Sequence, residues 1–282
     1  MKRGEAFARA SLFVGVFLLV VTAIMLAWAF CMAGRVAAPQ TSISGGSTAG
    51  DGGAGAAGAH TVIDWAYWRS VNEDVVAWVE VPGTAVSQPV VQARPADPRR
   101  YLACDVYGGW NPFGCAYVDS GCDRGVESRN VVLVGHNISF PPAMFHDLEL
   151  FHDNAFARSH DVIVLHTPEG TRRYRVAGVD TVPGGEAVKR TAFSDEADFR
   201  SYVRERLLAC DIVLPAAGEA LTPEPCYVSK KGEGALLSLA GVRDPEEPAS
   251  AAVGVTRMLT LCTCSYFENP ADERTLVYAF PE

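Results

Sequence analysis

Twenty-five consecutive residues, Ala10–Gly34, carry no charge and are mostly apolar. A helix of that length crosses the roughly 30 Å hydrocarbon core of a bilayer. On its short N-terminal side Lys2, Arg3 and Arg9 outweigh Glu5, which favours an N-terminus inside and the rest of the chain outside. A cleaved signal peptide is the competing reading. Its apolar core is usually shorter and ends in a small-residue cleavage site; Ala33–Ala37 is only a weak match. Phe30 before Cys31 also departs from a lipoprotein cleavage box, which needs a small residue there. Residues 1–9 are therefore expected to be a cytoplasmic tail, 10–34 a signal anchor, and the remainder extracellular on a single-pass membrane protein. From Ala38 to Ala59 the chain is mostly Gly, Ala, Ser and Thr with one charge, Asp51. Such composition cannot bury enough surface to order itself, so residues 35–60 are expected to tether a folded domain over 61–282.

With a net charge of −9, the chain lacks the basic face that a nucleic-acid partner would favour. It contains no P-loop and no zinc-type CxxC pair. No cofactor and no metal are expected. Within the domain, Val62–Asn72 has the spacing of an amphipathic helix, and Val75–Val81, Val86–Val91, Tyr101–Leu102 and Gly114–Asp119 are expected strands. Asp195–Leu208 is expected to be a helix, with Ser194 as its N-cap. Many short strands separated by Gly, Pro and Asn argue for a β-barrel or sandwich. Pro215–Gly254, rich in Ala, Gly, Pro and charge, is expected to be an insertion (about 213–255) before the last strands.

Three side chains at predicted strand ends carry the chemistry. Met258–Cys264 is expected to be a buried strand ending at Cys264; polar turn residues follow, and Thr275–Ala279 is the next strand. A hairpin of that kind sets Arg274 beside Cys264. Upstream, the apolar run Val131–Val134 leads through Gly135 to His136 and Asn137. A thiol, an imidazole and a guanidinium are the parts of a thiol acyl-transfer site. Cys264 is the candidate nucleophile, because a neighbouring cation lowers a thiol's pKa. His136 is the candidate general acid and base. Arg274, with a fixed charge and a planar fork of donors, is the candidate for the anionic intermediate. The alternatives are a structural cysteine, a hydrogen-bonded surface histidine, and an arginine paired with Glu268 or Asp272. Asn137, Thr263, Ser265 and Tyr266, which flank His136 and Cys264, are candidate substrate contacts. The remaining histidines (His60, His146, His152, His160 and His166) carry no comparable context.

These residues resemble a class B sortase, a bacterial surface transpeptidase. The likeness runs from Asn72-Glu73-Asp74 and Pro82-Gly83-Thr84 through Pro89–Gln92, Tyr101-Leu102 and Gly114–Asp119. It continues through Gly135-His136-Asn137, Met144-Phe145 and Thr260-Leu261-Cys262-Thr263-Cys264 to Arg274. The resemblance implies a mostly β fold: a closed, mostly antiparallel eight-stranded barrel with an added N-terminal helix and a helix between late strands. It also implies cleavage of a C-terminal sorting signal after threonine and transfer to an amine. That amine would belong to peptidoglycan or, in a pilin polymerase, to a lysine of the next subunit. Two departures stand out: Asp97-Pro98 lies in a longer loop where the family often shows Asp-Asn before Tyr-Leu, and the 215–254 segment is longer than usual. Outside this chemistry, a catalytically silent, membrane-anchored binding module is the rival. Water in place of the amine would make the same atoms a protease.

Seven of the eight cysteines, all but Cys31, lie in the exported domain, where disulfides are permitted. Cys210 with Cys226, and Cys115 with Cys122, are candidate pairs. Cys262 and Cys264 share a strand face, their Cα atoms about 6.5 Å apart in extended chain, near the outer limit for a bridge. Cys262 is read as a small core residue, with reversible protection of Cys264 as the sharper alternative.

Overall fold

The computed structural model describes residues 2–36, 41–43, 61–140, 142–184, 189–214, 255–265 and 273–282. The N-terminal helix α1 (Lys2–Val36) contains the apolar window Val14–Cys31, none of which is buried against the rest of the chain. It is long and apolar enough to be a membrane anchor. Inside the Gly/Ala/Ser stretch, β1 (Thr41–Ile43) pairs antiparallel with β2 (Thr61–Ile63).

Eight strands close the barrel: β3 (Val75–Glu80), β4 (Ser87–Gln92), β5 (Ala116–Val118), β6 (Asn130–Val134), β9 (Val162–Thr167), β10 (Gly170–Pro183), β12 (Met258–Ser265) and β13 (Glu273–Pro281). Their order is β10-β13-β12-β6-β5-β4-β3-β9, and an antiparallel β9–β10 pairing joins the ends. Two pairings, β4–β5 and β6–β12, are parallel; the others are antiparallel. Closure leaves the barrel without a free edge. The short β11 (Ile212–Val213) adds to β10 from outside.

Alternation along each strand divides the core in two. On β12, Leu259 and Leu261 face the barrel interior with Val131, Leu133, Val277 and Ala279. Met258 and Cys262 face outward with Leu276 and Tyr278, beneath α4 (Glu196–Ala209). That helix, the one expected between late strands, lays Phe199, Tyr202, Val203 and Leu207 on this outer face. Its N-cap is Asp195, whose carboxylate accepts from Asp198 N at 2.8 Å; Ser194 donates to the Asp198 carboxylate instead. On the other side of the barrel α2 (Trp65–Val71) buries Trp68 against Trp78, ring centroids 5.6 Å apart.

Three further sequence expectations change. The helix foreseen over Val62–Asn72 is shorter, because Thr61–Ile63 is spent as strand and Asp64 caps the helix by accepting from Tyr67 N at 2.9 Å. Tyr101–Leu102 belongs to a 3₁₀ turn, Arg100–Leu102, not to a strand. Cys115 and Cys122 do not bridge: both are free thiols, Cys115 in the cluster under α2 and Cys122 in the barrel interior. Cys226, the proposed partner of Cys210, and the 215–254 segment lie outside the described residues.

Candidate active site

The central strand triplet β6–β12–β13 assembles the site. β12 and β13 pair so that Cys264 stands directly opposite Arg274, and Thr263 opposite Thr275. Side chains opposite one another share a face, so the thiol and the guanidinium project together from the outer face, one turn of the pleat beyond Cys262. β6 runs parallel to β12, and Gly135 extends that ladder by donating its N–H to Cys262 O at 3.1 Å. The next residue, His136, is thereby delivered beside Cys264. Gly135 is required at this step: a Cβ there would lie 2.8 Å from the Phe145 ring.

His136 is held at two points: its carbonyl accepts from Phe145 N at 2.9 Å, and its Nε2 donates to Leu102 O at 2.9 Å. Its ring adjoins the Cys264 thiol closely enough for each to shift the other's pKa. A carbonyl can only accept, so Nε2 carries a hydrogen. In the neutral ring Nδ1 is then the nitrogen that exchanges a proton. The turn bearing Leu102 is itself fixed by Gly114, at φ +58, where a Cβ would lie 2.2 Å from Tyr101 O.

The electrostatics follow from this contact. The neighbouring His136 ring holds the Cys264 thiol below its ordinary value, aided by the Arg274 charge and opposed by partial burial. Reciprocally, the Cys264 contact raises His136, against burial, and the Leu102 carbonyl adds to the rise. Both shifts favour a thiolate–imidazolium pair. Cys262, two residues away and 1% exposed, goes the other way: burial pushes its thiol up to about 11. Such a site can form and break a thioester, with a fixed cation near the position where an oxyanion would develop.

Opposite this outer face lies a polar plug. Asn137 opens β7 (Asn137–Ser139), which pairs with β8 (Pro142–Met144). It is 4% exposed. Its amide donates to Cys264 O at 2.9 Å and to Glu149 Oε1 at 3.1 Å, while its oxygen meets His146 Nδ1 at 2.7 Å. Thr275 Oγ1 donates to the same Glu149 oxygen at 3.1 Å. Leu148 and Phe151, from the same 3₁₀ turn His146–His152, close the barrel interior. Met144, facing Asn137 across the hairpin, sits at φ 61, an unusual conformation for a residue with a side chain.

The sequence candidates therefore separate. Cys264, His136 and Arg274 come together. Asn137, expected as a substrate contact, is instead turned inward as a strut between three elements. Thr263 is also inward, at 1% exposure. Ser265 ends β12 opposite Glu273; Tyr266 lies outside the described residues, as do Glu268 and Asp272. Arg274 donates to Glu273 O at 2.7 Å. Sequence reasoning missed Leu102 O, Glu149 and His146. A backbone carbonyl has no sequence signature, and Glu149 and His146 reach the site only through the 3₁₀ turn. Among the described residues no cluster of His, Cys, Asp and Glu could hold a metal.

The Sortase domain family model matches residues 79–282, nearly the whole barrel. The chain belongs to the sortase family. A curated relative, sortase B of Staphylococcus aureus, is 22% identical over 162 residues, 56% of this chain and 65% of that protein. The match thus spans just under two thirds of that relative's length. Among solved structures, a mutant form of Clostridium perfringens sortase B superposes with a TM-score of 0.58 at 20% identity, covering 77% of this chain and 85% of that one. The Staphylococcus aureus sortase B–substrate complex gives 0.54 at 18%, covering 77% and 83%. The barrel of this sortase is thus the fold shared by class B sortase structures.

Proposed function

We propose that the chain is a membrane-anchored cysteine transpeptidase of the class B sortase type, with its N-terminus cytoplasmic and its barrel outside. The carrying observation is the placement of Cys264 between His136 and Arg274, with its thiol pKa lowered by the histidine. The Cys264 thiolate attacks the carbonyl carbon of the threonine in a C-terminal sorting signal. A carbon–sulfur bond forms, and the Arg274 fork offers its donors to the oxyanion. Collapse of the intermediate breaks the peptide C–N bond as imidazolium His136 protonates the departing amine. An acceptor amine then attacks the thioester, neutral His136 takes its proton, and the thiolate leaves. Each half-reaction thereby restores the partner that the other consumes.

Relatives support the two substrate classes: one solved sortase B structure contains a substrate and another contains triglycine. An amine of peptidoglycan is the acceptor we favour, with surface proteins carrying a sorting signal as donors. The test is mass spectrometry of the full chain incubated with a library of threonine-containing peptides. A mass added at Cys264 and discharged by an amine is the expected result, and Cys264→Ala abolishes it. Discharge by water alone would make the protein a protease, and absence of any adduct in the reduced protein would leave a silent binding module.

A further inference from the structure

Outside α1, the most exposed large apolar side chains among the described residues are Trp110, at 66%, and Phe140, at 65%. They come from two separate loops, and both loops flank His136. Trp110 lies in the turn closed by the Cys104–Trp110 bridge and by Asn111 N donating to Ala103 O, directly after the residue whose carbonyl holds the His136 ring. Phe140 stands at the tip of the β7–β8 hairpin, which begins one residue after His136.

Both touch the same part of α1. Trp110 stacks on Trp28 with ring centroids 6.2 Å apart, and Phe140 meets Phe30 edge-on at 5.8 Å. Trp28 and Phe30 belong to the last turn of the apolar window Val14–Cys31. When that window crosses a bilayer, its last turn lies at the outer interface, the level at which aromatic rings concentrate. The domain aromatics in contact with it lie at the same depth. A helix folded back onto the barrel as an intramolecular latch would bury part of its length, yet no residue of the window is buried. Among the described residues, the ring contacts between helix and barrel fall at the helix foot, as expected where the two aromatic pairs share one interfacial layer.

We propose that Trp110 and Phe140 form a membrane-docking face that seats the barrel on the outer lipid interface beside the foot of α1. The occupant of this face is the headgroup–acyl boundary of the bilayer. Docking there fixes the His136 side of the cleft close to the membrane surface, despite the composition of the 35–60 stretch. The inference rests on the reading of α1 as a membrane anchor.

The chain has five tryptophans, Trp28, Trp65, Trp68, Trp78 and Trp110, which allows a direct test on the full chain. It is reconstituted in phosphatidylcholine–phosphatidylglycerol vesicles whose acyl chains are brominated next to the headgroup. Trp28→Phe leaves Trp110 as the reporter of docking; adding Trp110→Phe supplies the blank and retains an aromatic ring. Trp110→Phe alone leaves Trp28 as the reporter of the anchor. The expected result is bromine quenching in Trp28→Phe that is lost in the double variant and weakened by Phe140→Ser. Quenching of Trp28 without quenching of Trp110 would overturn the docking face and leave the anchor standing. Absence of both would overturn the anchor reading and the docking face with it. Concentration-dependent self-association that shields Trp110 from bromine would give the face to a second copy and likewise overturn the proposal.

Discussion

The two ends of β12 lie on one face of one strand and differ sharply in their surroundings. At the Met258–Cys262 end, α4 lies over the strand, and its side chains pack on Leu276, Tyr278 and Phe280 from the adjoining strand. Two residues further on, the same face carries Cys264, half-buried and opposite Arg274, with His136 alongside. One thiol is pushed up to about 11 by burial, and the other is drawn down by an imidazole and a guanidinium. The strand, sheet and face are the same. Reactivity is therefore set by where the cover of α4 ends and by which side chains the adjoining strands deliver at that point.

Removing the histidine should erase most of the difference. His136→Gln is expected to slow acyl transfer by about 10²–10⁴-fold. Its more specific effect is on pH. In the native chain the rate should rise as Cys264 loses its proton below the ordinary thiol range and fall as His136 loses its own above the ordinary imidazole range. Without His136 the Cys264 midpoint, read by iodoacetamide alkylation, should move upward, toward that of Cys262. A midpoint that stays put would mean that Arg274 alone sets the thiol.

The guanidinium supplies the other cation. Arg274→Lys keeps the charge and loses the planar fork. We expect the alkylation midpoint to move little and turnover to fall by about 10²–10³-fold. Near-native turnover would reduce Arg274 to a strand-edge charge.

Behind the site, Asn137 joins β12 to the 3₁₀ turn that plugs the barrel. Asn137→Ala leaves Cys264 O and Glu149 short of a donor. A shift in the position of the thiol should lower kcat by about 10-fold to 100-fold with KM unchanged. Asn137→Asp, which lacks the amide donor, should fail to rescue it; rescue by Asp would show that the amide donor is dispensable.

How much of this could be read from the chain depends on the kind of signal. The strand pair was legible over Met258–Cys264 and Thr275–Ala279 from its alternation, and the observed register brings Cys264 and Arg274 side by side as the spacing implied. The closed barrel and the helix between late strands followed from the family resemblance. Tyr101–Leu102 has the apolarity of a strand, but the turn formed by Arg99–Ala103 and the fixed Gly114 make it 3₁₀. Cys115 and Cys122 are close enough in sequence to suggest a bridge, yet strand alternation and the intervening turn send them to different cores. Asn137 looked like a substrate contact because it adjoins His136; alternation turns it inward. Satisfaction of buried polar groups is a three-dimensional condition, and nothing in the spacing of Asn137, His146 and Glu149 announces it.

The smallest effect on chemistry should come from the other cysteine. Cys262 is at 1% exposure among Met258, Leu276 and the residues of α4, and it is a free thiol. Cys262→Ser keeps the volume and replaces a weakly polar thiol by a hydroxyl in an apolar setting. Unless that hydroxyl finds an acceptor, the cost is about 1–3 kcal/mol, visible as a lower denaturation midpoint. The alkylation rate and midpoint of Cys264 should be unchanged, because neither the His136 contact nor the Arg274 pairing passes through Cys262. Sensitivity of Cys264 to peroxide should be unchanged as well, since a thiol held near 11 is almost wholly protonated at neutral pH and is a poor resolving partner. Loss of reductant-recoverable activity in Cys262→Ser would reverse that conclusion. It would make the two ends of β12 one redox unit instead of a dry end and a reactive one.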